Sequence, residues 1–303
     1  MLSVSVLFRA TLTSFSSTLY LLLLITIIKF KKQEPFNSSF FSLCIDDGIT
    51  NLLSIFVHYV VVYGPQEGLL PIEWCRRNPN LWGRLWDYFS HSLEFAQFSG
   101  SLLLAANRFW AIAKPFSYQF TWKSKNLAAL LISKWIVSLC VTCPVLVAEY
   151  DCFKRPGYNQ TGAYYISMTN ARLDATVWLY MAVYSSVCLA GVTALYSATY
   201  TLLWKQRTKV TPGEIATVPS SSSQRKKEIN LLFAGVCLSV PMAAFVILNW
   251  LAAAGYMVTI FEFEDVFVFF IEVFCWNNVY VLLVISKKTR SYFCKFLTCN
   301  KSP

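Results

Sequence analysis

The stretch Phe98–Phe116, FSGSLLLAANRFWAIAKPF, decides the fold class of this chain. It continues an apolar segment, and the thirteen residues between Glu94 and Arg108 carry no charge. A helix built from Ser, Leu, Ala and Gly suits lipid or a tightly packed bundle, and an arginine at its end suits the headgroup region. The stretch therefore predicts a membrane-spanning helix whose inner end lies at Arg108.

The composition extends this prediction to the whole chain. Of the 303 residues, 56% are hydrophobic and only 14% are charged, whereas a soluble domain typically has about a quarter charged. Runs of about 20 apolar residues cross a bilayer as helix. Seven such runs occur, at 10–30, 40–63, 86–112, 127–148, 173–204, 231–256 and 265–286. We therefore expect an all-α seven-transmembrane helix bundle that forms one domain over 1–303 and ends in a tail, 287–303.

The basic residues predict the orientation of the bundle. Eighteen of the 26 Lys and Arg lie at the inner end of predicted helix three, in the loops after helices one, three and five, and in the tail. Seven lie on the other side, and Lys134 lies inside helix four. By the positive-inside rule the amino terminus is extracellular and the carboxyl terminus cytoplasmic. The net charge of +10 then suits a lipid bilayer with anionic inner-leaflet lipid, and nucleic acid is not an expected partner.

Acidic residues occur at membrane depth in three of the predicted helices. Asp46 and Asp47 follow each other near the start of helix two, Glu94 lies in helix three, and Glu272 lies in helix seven. Ionised groups there are costly unless they face the bundle interior and find partners. We expect a polar network at Asp46 and Asp47, with the alternative that Asp46 is solvated near the interface.

The outer half of the predicted bundle contains the candidate ligand-binding residues. His91 and Glu94 share one face of helix three with Asp87, and Gln97 lies one turn deeper. Aromatic and polar residues of helices five to seven complete an apolar cavity with a few polar groups: Trp178, Asn249, Trp250 and Glu272. A cationic ligand, pairing of a carboxyl with His91, a proton shared by the two carboxyls, or a purely structural network would each suit this set.

The cysteines and one sequon mark the predicted outer loops. Cys75 and Cys152 are the two of ten cysteines in those loops, and extracellular thiols tend to pair, so we expect a disulfide between them. Asn159 is a glycosylation acceptor on the same side, whereas the sequon at Asn37 falls inside. No Cys/His spacing supports a metal site, and no cofactor is expected.

The cytoplasmic segments are basic. The loop from Lys205 to Asn230 carries a serine run beside basic residues, which predicts a flexible linker. The tail from Lys287 is basic and aromatic, which predicts a short amphipathic helix on the inner leaflet with Cys294 and Cys299 as palmitoylation candidates.

Two stretches carry a resemblance to a known family, namely NSSFFSLCIDDGITN at 37–51 and LLAANRFWAIAKP at 103–115. With the proline in helix six and the overall length, they resemble nematode serpentine chemoreceptors of the Srg superfamily, class V or G, within the rhodopsin-like G-protein-coupled receptors. The resemblance implies a plasma-membrane receptor, often of sensory neurons and their cilia, that acts through a heterotrimeric G protein.

The resemblance also assigns roles to particular residues. Asn107-Arg108-Phe109 stands where the wider family has an acid-Arg-Tyr motif, which implies G-protein coupling here. Asn107 replaces the acid, so it cannot hold Arg108 by charge. Pro241 is the expected hinge of helix six, although no tryptophan lies between Cys237 and Pro241. In helix seven the expected switch residues are Asn277 and Tyr280, without the proline of the wider family.

The resulting hypothesis is a chemosensory receptor that binds a small external ligand, moves helix six about Pro241, and opens a cavity beside Arg108 for a G protein. One alternative is a ligand-gated channel with its amino terminus inside, which the distribution of basic residues opposes. A multipass transporter is a second alternative, although no repeated halves with paired broken helices are evident. An enzyme is not expected, because neither a metal-binding motif nor a convincing nucleophile and base is present.

Overall fold

The computed structural model describes residues 4–34, 36–60, 64–66, 72–154, 164–208, 221–255 and 261–298. Its long helices follow the order of the predicted spans: α1 (Val4–Lys29), α2 (Ser39–His58), α3 (Pro79–Ala113), α4 (Ser124–Val141), α5 (Ala171–Thr208), α6 (Ser221–Ala253) and α7 (Phe261–Ile285). Helix α8 (Lys287–Leu297) follows α7. The shorter elements are helices Gly64–Gln66, Ile72–Arg77 and Pro115–Thr121, a 3₁₀ turn at Cys143–Val147, and strands β1 (Tyr150–Lys154) and β2 (Tyr164–Met168).

The helices confirm the predicted seven-helix bundle. Within the described ranges, six helices are long and apolar enough to cross a membrane by length and composition. The remaining long helix, α3, has 35 residues, roughly 52 Å at 1.5 Å per residue. It carries Asp87 and Glu94 in its outer half, which lowers its mean hydropathy. All side chains from Ser90 to Phe98 are buried, so this part of α3 is surrounded by other elements on every side.

Three helix boundaries lie at least seven residues from the predicted ones. Helix α3 begins at Pro79, whose fixed φ suits a first helical turn. Helix α4 ends at Val141 and the chain continues as a 3₁₀ turn containing Pro144, which has no N–H to extend the α-helical ladder. Helix α6 begins at Ser221, inside the segment predicted to be a flexible linker. Residues 224–228 are Gln, Arg, Lys, Lys and Glu, all of which favour helix, and this propensity outweighs the serine run.

A β-hairpin at the outer end of the bundle was not predicted. Strands β1 and β2 are antiparallel, with Tyr150 opposite Met168. The expected disulfide between Cys75 and Cys152 is confirmed, with Cα atoms 6.2 Å apart. It joins helix Ile72–Arg77 to β1, so the hairpin is covalently tied to the segment preceding α3. We call this end of the bundle the outer end.

Tyr150 packs against α3 and connects the hairpin to it. Its ring lies so close to Gly83 that a Cβ atom at that position would overlap it. The backbone N–H of Tyr150 donates to Asn80 at 2.7 Å, and Arg84 donates to the Ala148 carbonyl at 2.8 Å. Burial raises the pKa of the Tyr150 phenol well above its ordinary value, so this side chain stays neutral at physiological pH.

Candidate functional site

The outer half of the bundle brings His91 and Glu94 together. Both side chains are buried, and His91 Nδ1 lies 3.5 Å from Glu94 Oε2 because the residues are three apart on α3. The imidazole stands edge-on to the Trp178 ring of α5, with centroids 5.3 Å apart. The Trp178 indole donates to Asp174 at 3.1 Å. Three of the residues predicted to bind ligand therefore meet between α3 and α5.

Glu272 has a different neighbour from the one that the sequence indicated. Its carboxylate is buried, and Arg9 Nη2 of α1 lies 3.7 Å away. A buried carboxylate beside a guanidinium is compensated in charge, so Glu272 does not act as an isolated anion. Sequence reasoning counted Arg9 among the outer basic residues and missed this pairing. The available signal was an arginine immediately before an apolar run, which predicts a charge near the membrane.

Gln97 belongs to a polar network in the middle of the bundle. Its amide donates to Asn51 Oδ1 at 2.9 Å and to Cys275 Sγ at 3.0 Å. Asn51 in turn donates to Asp47 Oδ2 at 3.2 Å, and Asn278 of α7 donates to the same carboxylate. We call His91, Glu94 and Trp178 the His91 cluster. The network joins α2, α3 and α7 on the inner side of this cluster, so Gln97 lies outside it.

Asp46 faces α4 and not the central network. Its carboxylate forms an ion pair with the Lys134 ammonium and accepts a hydrogen bond of 3.0 Å from the Trp135 indole. The Lys134 side chain is 1% exposed and that of Asp46 is 17% exposed. The pair explains how a lysine is accommodated inside a membrane helix, and it shows that Asp46 is not simply solvated at an interface.

Helix α6 brings Asn249 into the bundle and leaves Trp250 outside it. Asn249 is fully buried and donates to Ser185 of α5 at 3.4 Å. Trp250 is 45% exposed, and its indole donates to Ser186 at 3.1 Å on the side of the bundle that faces away from the interior. Adjacent helical residues are separated by about 100° around the axis, so the two neighbours cannot both face inward. The predicted place of Trp250 in a ligand-binding cavity is therefore not what the structure shows.

Aromatic rings connect the His91 cluster to α6. The Trp178 ring contacts Phe267 of α7 edge-on at 5.5 Å, and Phe267 lies 4.9 Å from Phe245 of α6. Phe245 in turn lies 5.4 Å from Phe98 of α3. Such separations are typical of favourable aromatic pairs. The rings from His91 to Phe98 thus form a continuous set of contacts across α3, α5, α7 and α6, which we call the aromatic chain.

At the inner end, Arg108 is held by aromatic rings. Its guanidinium carbon lies 4.7 Å from the Phe40 ring centroid and 6.0 Å from that of Tyr196. Both distances are within the range of cation–π attraction. Asn107 accepts a hydrogen bond from Tyr118 at 3.3 Å and donates to Ser39 at 2.9 Å, so it connects α3 to helix Pro115–Thr121 and to α2.

Arg108 also borders an internal cavity. The cavity has a volume of about 20 Å³, which is room for about one water molecule. Its walls include Phe40, Cys44, Asp47, Arg108, Tyr196, Leu238 and Asn278. Asp47 of α2 and Arg108 of α3 therefore line the same cavity. Phe109, the third member of the predicted coupling motif, is half-buried.

The remaining predicted residues belong to α7, to the tail and to a predicted outer loop. Asn277 donates to the Cys237 carbonyl of α6, and Tyr280 shares a hydrogen bond of 2.9 Å with Ser16 of α1. Cys294 is exposed on α8. Asn159 and Cys299 lie outside the described residues. The structure contains no group of three or more metal-ligating side chains in the part of the chain it describes.

These features define a multipass helical membrane protein with a polar interior, an outer disulfide-bonded hairpin, and an arginine at the inner end of its central helix. The model of the family described as "Serpentine type 7TM GPCR chemoreceptor Srv" matches residues 10–299. The chain belongs to this family of seven-transmembrane chemoreceptors, which decides for class V between the two classes considered above. It is similar to serpentine receptor class V-1 of Caenorhabditis elegans, with 23% identity over 269 residues, which cover 88% of this chain and 82% of that protein.

Proposed function

We propose that this chemoreceptor binds a small external ligand in the outer half of its bundle and activates a heterotrimeric G protein by moving the inner half of α6. The observation that carries the proposal is the aromatic chain. It begins at His91 and Trp178, where buried polar groups meet rings, and it reaches α6 at Phe245. Phe245 lies four residues, one helical turn, on the outer side of Pro241.

Pro241 gives α6 a position at which it can bend. Proline removes a backbone hydrogen bond from the helix and weakens its resistance to bending there. A ligand that displaces Trp178 or Phe267 acts on Phe245, just above that position. The mechanism is a shift of population, so an activating ligand must bind the open arrangement more tightly than the closed one.

The inner surface near Arg108 offers a partner both apolar and basic groups. Phe116 and Phe120 of helix Pro115–Thr121 are 91% and 65% exposed, and one turn of helix separates them. Lys114 and Lys123 flank this short helix. Exposed aromatic side chains are enriched at surfaces that bind other proteins, and flanking lysines would attract an acidic partner surface. We propose that the G protein binds here and that the receptor acts at the plasma membrane of sensory cells, including their cilia.

The experiment is a chemical screen on cells that express the chain together with a G-protein activation readout. The test variant is Trp178→Ala, and the matched control is Trp250→Ala, because Trp250 is a tryptophan of the outer half that faces away from the bundle. We expect Trp178→Ala to raise the concentration for half-maximal response at least tenfold and Trp250→Ala to change it less than threefold. Equal responses in the two variants would remove the aromatic chain from the ligand site.

A second arm separates receptor from channel. Arg108→Leu should abolish G-protein activation while the protein still reaches the cell surface and still binds ligand. Ligand-evoked current that persists in cells lacking G proteins would refute the proposed receptor mechanism and support the channel. Glycan mapping tests the orientation independently, because modification of Asn37 and not of Asn159 would invert the bundle.

A further inference from the structure

We infer that Asn277 is a positioning residue that holds α6 in its closed arrangement by occupying the backbone acceptor that Pro241 leaves open. The inference rests on the proposed function, in which α6 moves about Pro241. It concerns a hydrogen bond between a side chain of α7 and the main chain of α6, and it assigns Asn277 a role that depends on the presence of the proline.

The first step concerns the backbone of α6. In an α-helix the carbonyl of residue 237 accepts from the N–H of residue 241. Residue 241 is proline, which has no N–H, so the Cys237 carbonyl has no partner within its own helix. An unpaired carbonyl inside a membrane is costly, because lipid offers no donor. The helix therefore needs a donor from elsewhere at this carbonyl.

The second step concerns the donor. The Asn277 side-chain amide of α7 donates to the Cys237 carbonyl oxygen at 2.5 Å. Asn277 is half-buried, and Pro241 is buried. The amide thus replaces the missing backbone N–H and joins α6 to α7 one turn before Pro241. This hydrogen bond depends on the proline, because the Cys237 carbonyl can accept from Asn277 only when residue 241 has no N–H.

The third step concerns movement. The adjacent residue, Asn278, points the other way and donates to Asp47 of α2. Helix α7 therefore holds α6 through one amide and α2 through the next. When the inner half of α6 swings outward about Pro241, the Cys237 carbonyl moves away from Asn277 and this bond breaks. Asn277 therefore favours the closed arrangement and resists activation.

A double-mutant cycle tests the inference. Asn277→Ala should raise basal G-protein activation roughly three- to tenfold, the effect of losing one hydrogen bond that exists only in the closed state. In the Pro241→Ala background residue 241 regains an N–H that bonds the Cys237 carbonyl, so Asn277→Ala should there change activation less than 1.5-fold. Equal effects in the two backgrounds would overturn the inference.

The matched control is Asn278→Ala. Its amide bonds Asp47 and not α6, so its effect on activation should be the same with proline or alanine at position 241. Asn277→Leu should behave like Asn277→Ala, because neither side chain has a hydrogen-bond donor. Pro241→Leu serves as a second background if Pro241→Ala does not reach the cell surface.

A measurement without G protein keeps the inference separate from the proposed function. The rate of hydrogen–deuterium exchange of residues 233–240 is measured on purified protein in lipid nanodiscs. It should rise at least threefold in Asn277→Ala relative to the native protein, and it should be the same in Pro241→Ala/Asn277→Ala as in Pro241→Ala. If exchange follows this pattern while no variant activates a G protein, Asn277 holds α6 but the receptor function is wrong. If activation depends on ligand while exchange is the same in all variants, the function stands and the role of Asn277 is refuted.

Discussion

The ion pair between Asp46 and Lys134 should be the principal polar attachment of α4 to the bundle. Only three side chains of α4 are buried, namely Leu127, Lys134 and Ser138, so the helix has little apolar contact to replace a lost ion pair. Lys134→Met removes the ammonium and leaves the Asp46 carboxylate with the Trp135 indole as its donor. The carboxylate is then largely buried without a counter-charge.

The expected magnitude follows from the exposure of the two side chains. Removing one partner of a fully buried pair costs about 3–5 kcal/mol. Because the Asp46 side chain is 17% exposed and keeps the Trp135 indole as a donor, we expect less than this, about 2–3 kcal/mol. This lowers the ratio of folded to unfolded protein by a factor of about 30 to 150. The double variant Asp46→Leu/Lys134→Met leaves no unpaired charge, so its free energy of unfolding should be within about 1 kcal/mol of the native value.

The assay is denaturant-induced unfolding of the purified protein in mixed micelles, with helical circular dichroism as the readout. Lys125→Met is the matched control, since Lys125 is exposed at the inner end of the same helix. A loss in Lys134→Met no greater than that in Lys125→Met would refute the reasoning. So would a double variant that is less stable than either single variant, because the pair would then not be the source of the penalty.

Three further outcomes are expected. Cys75→Ser should lower the free energy of unfolding by about 2–4 kcal/mol, because the disulfide no longer links residues 77 positions apart in the unfolded chain. An unchanged melting temperature after full reduction of the native protein would contradict this. Gly83→Ala should cost about 1–3 kcal/mol because the new Cβ overlaps the Tyr150 ring, and a second change, Tyr150→Ala, should relieve the overlap in a thermal unfolding assay. Phe40→Leu should raise basal G-protein activation about three- to tenfold by removing one ring from Arg108, whereas equal basal activity would show that the ring does not restrain the arginine.

The absence of an acid beside Arg108 is compensated in the structure by other groups. Asn107 uses its amide to fix α3 to Ser39 and Tyr118, while the arginine meets two rings and shares a cavity with Asp47. Aromatic rings hold a cation more weakly and less directionally than a bidentate carboxylate. We therefore expect a closed state that opens more readily than one held by an adjacent ion pair.

The sequence by itself determined the number and order of the helices, because an apolar run long enough to cross a bilayer is a local property of the chain. It also determined the family through the stretches at 37–51 and 103–115, and the disulfide through the location of two cysteines in outer loops. Only the tertiary structure decided which buried charges meet across helices: Asp46 with Lys134, and Glu272 with Arg9. The reason is that pairing across helices depends on how each helix is rotated and tilted against its neighbours, and residue spacing within one helix does not encode that rotation. Trp250 is a second case, because residue spacing predicted it in the cavity whereas helix packing leaves it exposed. The hydrogen bond from Asn277 to the Cys237 carbonyl is a third, because it also depends on how two helices face each other.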